Sequence, residues 1–142
     1  MNYIATGGGD KSINIWEFFP NENAALKKLT IKEHHESVIK ILYVKINTNC
    51  IIISGAFDGT IKLHSIKRTF NDEFGEVQII AKELMTIYNK DSEIVNLEYF
   101  FYDKKKDEKN ENNDNYDKDL HLVVNLGRSK GYTVHKIKFT FN

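Results

Sequence analysis

The sequence predicts an all-β protein built from repeated antiparallel hairpins, and three observations predict it. The stretch Ile4–Phe18 matches Ile52–Ile66 without a gap at an offset of 48. Apolar residues alternate on the second arm of each copy, Ile13 and Ile15 in the first, Ile61 and Leu63 in the second. The arms are joined by Gly8-Gly9-Asp10 and Phe57-Asp58-Gly59, residue types that tolerate the backbone of a tight turn.

Taken in order, Ile4–Phe18 is the first hairpin and Ala25–Ile31 reads as an added outer strand. Val38–Val44 is a strand preceding the second hairpin, and Ile94–Phe100 repeats its apolar positions at an offset of 56. Leu122–Ile137 aligns with Ile51–Ile66 as a third, degenerate hairpin that lacks the Asp. Glu76–Tyr88 is ambiguous. Its place in the repeat says strand, whereas Val77, Ile80, Ala81, Leu84, Met85 and Tyr88 fall at helical spacing and Ala-Lys-Glu-Leu-Met favours helix. Residues 103–119 carry mixed charge and one aromatic, and read as a disordered charged insertion in a surface loop. The repeat units run at about 1–18, 24–66 and 76–142 within a single domain.

Composition bounds the function. The 142 residues hold 20 basic and 20 acidic side chains, so no overall field draws the molecule to nucleic acid or to an anionic membrane. Lysine outnumbers arginine 18 to 2, beside 15 Asn and 17 Ile, a bias that makes lysine counts poor evidence of chemistry. One cysteine, Cys50, cannot form an internal disulfide and fits a cytoplasmic or nuclear protein. No apolar run approaches the ~20 residues of a membrane span, and Met1–Pro20 has neither the basic start nor the apolar stretch of a signal peptide.

Candidate chemistries fail on spacing. Gly7-Gly8-Gly9-Asp10-Lys11-Ser12 is followed by a strand, so the helix N-terminus of a phosphate loop is missing and Asp10 would repel the phosphate. His34 and His35 near Asp58 and His64 suggest a metal site, but neighbours on extended chain point opposite ways and no H-x-x-x-H or C-x-x-C occurs. No G-x-S-x-G surrounds Ser54, and no nucleophile, base and orienter assemble. The reading is a non-enzyme with no metal and no cofactor. Leu120–Asn142 carries Arg128, Lys130, Lys136 and Lys138 without an acidic residue, which supplies the alternative function, a nucleic-acid-associated module.

A strand ending in Thr/Ser-Gly, a turn with Asp and an alternating strand ending in Ile-Trp, repeated at forty-odd residues, resembles the WD-repeat β-propeller family. Ala5-Thr6-Gly7-Gly8-Gly9-Asp10 with Ile15-Trp16 matches best, and Glu33-His34 stands where the family has Gly-His. The resemblance implies four-stranded antiparallel blades, each with a buried hydrogen-bond relay. Carried over, the relay is His34, Ser54 and Asp58 in the second unit, with His64 in place of Trp. In the first unit it is Thr6, Asp10 and Trp16, and the third (Lys90, Asn125, Ser129, His135) effectively lacks it. Glu36, Phe57 and Arg128 fall where the family presents side chains on a rim to partners.

Strands number two, four and four, about ten, too few for the sixteen of a four-bladed ring. The resemblance therefore implies an incomplete ring: a fragment, a truncated product, or an arc completed by blades of the same or another chain. Ile137, Phe139 and Phe141 alternate with Lys136, Lys138 and Thr140 on a last strand that either seeks a partner or guards an edge. The implied function is a non-catalytic protein–protein interaction scaffold in a multiprotein complex, with other proteins as partners and neither membrane nor nucleic acid expected.

Overall fold

The computed structural model describes residues 2–46, 48–73, 75–89, 92–103, 118–127 and 131–139. These form ten strands and no helix: β1 (Asn2–Gly7), β2 (Ile13–Phe19), β3 (Ala24–Ile31), β4 (Val38–Ile46), β5 (Asn49–Ala56), β6 (Thr60–Asn71), β7 (Glu76–Tyr88), β8 (Ile94–Asp103), β9 (Lys118–Leu126) and β10 (Tyr132–Ile137). They make three antiparallel sheets, a first of order β1-β2-β3, a middle one of order β4-β5-β6-β7 and a last one of order β8-β9-β10. Among the described residues no helix is long and apolar enough to cross a membrane.

The strand total is that expected, but its distribution is three, four and three. The sequence units put Ala25–Ile31 and Glu76–Tyr88 at the front of the following unit. Hydrogen bonding puts each at the back of the sheet before it, β3 on β2 and β7 on β6. The helical spacing of Glu76–Tyr88 loses to this pairing, a ladder with β6 that runs from Asn71↔Glu76 to Thr60↔Tyr88. Of the 103–119 insertion, Asp103 pairs with Lys118 and Tyr102 with Asp119 at the end of the β8–β9 ladder, while 104–117 lie outside the described residues.

The repeat is geometric as well as textual. Bulges between Ile15 and Trp16 and between Leu63 and His64 stand 48 residues apart, and those between Val38 and Lys40 and between Ile94 and Asn96 stand 56 apart. The third hairpin departs by one residue. Six residues, 126–131, separate the paired Asn125 and Tyr132, where five, 56–60, separate Gly55 and Ile61. Because side chains alternate with period two, that extra residue slips β9 by one, so Val124, not Asn125, is the counterpart of Ser54.

The sheets pack face to face. Ile13, Ile15 and Ile31 of the first meet Val38, Ile52 and Ile79 of the middle sheet. On its other face Val44, Ile51, Ile53, Ile61 and Leu63 meet Ile94, Leu97, Leu120, Leu122, Val124 and Ile137 of the last. The consecutive Ile51-Ile52-Ile53 is thus explained, since a strand covered on both sides is apolar without a break. Each such side chain contributes roughly 1.5–3 kcal/mol on burial.

The Gly of the Thr/Ser-Gly pairs serves this stacking. A Cβ on Gly7 would lie 2.7 Å from Val38 Cγ1, and one on Gly55 2.9 Å from Ile94 Cγ2, in each case the first residue of the next sheet. Gly59 has a different reason. Its φ is +78°, and a Cβ there would sit 2.5 Å from the Ser92 carbonyl oxygen and 2.7 Å from that of Asn89. Gly75 has φ +64° with open space around it. Gly59→Ala is expected to cost at least about 3 kcal/mol in urea unfolding, backbone strain and collision together, against ~1 kcal/mol for Gly75→Ala; equal costs would show that the 89–92 linker yields freely.

Candidate functional site

Three of the sequence-predicted relay residues, His34, Ser54 and Asp58, meet at the turn between β5 and β6. The Asp58 carboxylate accepts from the Thr60 amide at 2.8 Å and the Thr60 hydroxyl at 2.5 Å through one oxygen, and from the His35 amide at 2.7 Å through the other. His34 Nδ1 is 2.9 Å from Thr60 Oγ1 and 3.5 Å from the nearer Asp58 oxygen, and its Nε2 is 2.8 Å from Ser54 Oγ. Proton accounting settles the tautomer. The Thr60 proton goes to the carboxylate, so Nδ1–H donates to Thr60, and Nε2 at 2.8 Å takes the one Ser54 hydroxyl proton ahead of the Lys62 carbonyl at 3.4 Å. His34 and Ser54 are buried, and the relay pins the 32–37 loop onto the turn, with Phe57 N donating to the Ser37 carbonyl at 3.0 Å.

Burial pushes the His34 imidazole below its ordinary value, outweighing the raising effect of Asp58. At Asp58 burial works against ionisation, yet the Thr60 hydroxyl and the His35 and Thr60 amides together hold the carboxyl below its ordinary value. A neutral imidazole and an ionised carboxylate are the pair this network fits.

Three features differ from the expected relay. Thr60 was not anticipated, although its place two residues after the turn Asp is the signal, since short hydroxyl side chains there close onto the carboxylate. His64 stands apart from the relay. Its Nε2 is 2.9 Å from Glu33 Oε2 while its buried Nδ1 has no hydrogen-bond partner, because an imidazole lacks the reach of an indole and finds the loop carboxylate instead. In the first unit the three residues divide: Trp16 Nε1 donates to Thr6 Oγ1 at 2.9 Å, while Asp10 takes the Ser12 hydroxyl at 2.6 Å. Ser12, 48 residues before Thr60, does the same work, and its hydrogen bonds hold the Asp10 carboxyl below its ordinary value. Of the third unit, His135 Nε2 lies 3.0 Å from Thr133 Oγ1, and Lys90 and Ser129 lie outside the described residues.

A second cluster adjoins the first. Glu33, His64 and Glu83 bring ligand-type atoms within 4.8 Å of one another. Lys62 Nζ already lies 3.0 Å from Glu83 and 3.9 Å from Glu33, and Thr86 donates to Glu83 at 2.8 Å. The polar contacts of Glu83 with Glu33, Thr86 and Lys62 push its carboxyl down to about 2, the donors being Thr86 and Lys62. A metal ion would have to displace the lysine that now occupies this cation position. Between the first and middle sheets a cleft of about 740 Å³ is lined by Tyr3, Ile41, Tyr43, Cys50, Ile52 and Arg68.

Of the rim residues, Phe57 and Glu36 are both exposed; Phe57 N donates to the carbonyl of Ser37, the residue after Glu36, and Glu36 forms a 3.5 Å ion pair with Lys11 of the first turn. Arg128 lies outside the described residues. In the basic C-terminal stretch, Lys136 Nζ is bonded to Asp119 at 2.5 Å, and Arg128 and Lys130 lie outside the described residues. A scan against protein-family models returns no match to the chain, and no curated protein matches it either.

The relay carries a pH signature. His34, with its folded value lowered, stabilises the fold fully above its ordinary 6.5, and that stability is lost as pH falls below it. Asp58 adds stability above its ordinary 3.8 that is lost as pH falls through its lower folded value. The urea midpoint of the wild type should therefore drop from pH 7 to pH 5 more steeply than that of His34→Gln, whereas Asp58→Asn should flatten only the fall below about pH 4. Parallel curves for wild type and His34→Gln would refute a neutral buried His34.

Proposed function

We propose that the three sheets are blades of a WD-repeat-like β-propeller and that the chain works as a non-catalytic protein-interaction scaffold, needing no cofactor. The blade reading is supported by bulges repeating at 48 and 56 residues and by the paired close approaches at Gly7 and Gly55. One observation carries the scaffold reading. The buried polar side chains His34, Ser54, Thr60 and Asp58 bond to one another and to the backbone, and leave Phe57 and Glu36 outward on the rim that they fix.

Such a rim lowers the entropy lost on binding, because the turn is ordered before the partner arrives. An exposed aromatic and an exposed carboxylate on two segments tied by a backbone bond suit a protein partner whose pocket takes the ring and whose cation meets Glu36. The ion pair with Lys11 is exposed on both sides and yields at little cost. The partners are other proteins or further blades, with no membrane role. Lys136 is already paired with Asp119, which weakens the basic strand as a holder of phosphates.

The test is affinity capture with the tagged chain, wild type against Phe57→Ala and Glu36→Lys, after circular dichroism has verified the fold. Wild type should retain a defined set of proteins and each variant should lose members of it at least roughly tenfold, about 1.4 kcal/mol. A set unchanged by both substitutions would overturn the rim reading.

A further inference from the structure

Among the described residues, no strand packs on the outer face of the last sheet. Leu97, Leu122, Val124 and Ile137 pack against the middle sheet, so their alternating neighbours face away. There Phe100 stacks on His121 with ring centroids 5.1 Å apart, and Phe100, Tyr102, Tyr132 and Val134 are 46–69% exposed.

The middle sheet shows what such a face does. The pairs Ile53↔Leu63 and Gly55↔Ile61 are the counterparts of Val123↔Val134 and Asn125↔Tyr132. In the middle sheet Ile53, Ile61 and Leu63 are completely buried beneath the last sheet. The opposite end of the stack is matched to it. On the outer face of the first sheet, Ile4 is the counterpart of Ile52, which is buried against the neighbouring sheet, yet Ile4 is exposed beside its cross-strand partner Trp16.

Asn125 selects the occupant. Its counterpart Gly55 has no side chain because the first strand of the next sheet approaches there, and Gly7 has the same reason. Another sheet with a strand like β4 or β8 would meet the Asn125 side chain. The described edge of the first sheet is β1, the counterpart of β5, so it brings to that position a strand of the second kind and not one like β4 or β8.

We propose that the outer face of the last sheet docks the outer face of the first sheet in a second copy of this chain, head to tail. The contact continues the interfaces already made inside each chain, and it is heterologous, so it closes when each copy gives one face and receives the other. The count of two rests on the blade reading, since such rings hold four to eight sheets and two copies bring six; the docking itself does not.

Light scattering on the eluting full chain tests this. Wild type should elute at twice its 16.5 kDa. Val134→Glu on one face and Ile4→Glu on the other should each give a monomer, and an equimolar mixture of the two should regain the dimeric mass, because each retains the face the other lacks. That regain also shows that both variants are folded. A dimer that survives Ile4→Glu means like faces pair, and overturns the proposal, as does a monomeric or polydisperse wild type. A larger discrete ring with the same variant behaviour would overturn the blade count and leave the docking standing.

Discussion

A sheet with isoleucine on both faces cannot stand alone in water, and the middle sheet is of that kind. Ile51 and Ile53 point to one side and Ile52 to the other, with Ile61 and Leu63 extending the first face and Val38 and Ile79 the second. Covering both faces requires a neighbour on each side at the spacing of packed sheets, ~10 Å. That spacing in turn requires Gly7 and Gly55 to have no side chain. The order of sheets, the direction of stacking and the exposed faces at either end follow from this one two-sided strand set.

The relay gathers its polar groups at one edge of the middle sheet, while Glu17, Ser65 and Asp119 are buried elsewhere. Ser54, Thr60, His34 and Asp58 close a network in which every proton has an acceptor, so burying it costs little beyond ordering. The adjoining Glu33, His64, Lys62 and Glu83 cluster is less complete, with one ring nitrogen of His64 buried and unsatisfied. An indole at that position would have removed the orphan, as Trp16 does in the first sheet by donating directly to Thr6. The middle sheet thus carries the best apolar packing and the less finished polar edge.

The sequence showed the hairpins plainly because a gapless match and period-two alternation are local signals. It showed the membership of the relay, since Ser54 and Asp58 recur at fixed distance from the turn, but not its wiring. Whether His64 bonds to Ser54 or to Glu33 depends on side-chain reach across a sheet, which no spacing encodes. β7 was ambiguous because Ala-Lys-Glu-Leu-Met speaks only for local propensity, while β6 decides from across the ladder. The slip of β9 was hidden for the opposite reason: an apolar run such as Leu122-Val123-Val124 reads the same in either register, and only the six-residue connection betrays it.

Trp16 is the one tryptophan of the chain, and it stands on the outer face of the first sheet with its indole N–H on Thr6 and the Lys27 ammonium 5.7 Å from its ring centre. Excited at the red edge of its absorption, where the tyrosines do not absorb, the molecule therefore carries a single native fluorophore at one end of its stack. Its emission wavelength reports the polarity at that face and nowhere else, and its quenching by a dissolved ion reports whether anything shields it. Coverage of the face can be followed optically in unlabelled protein, at concentrations well below those that scattering requires.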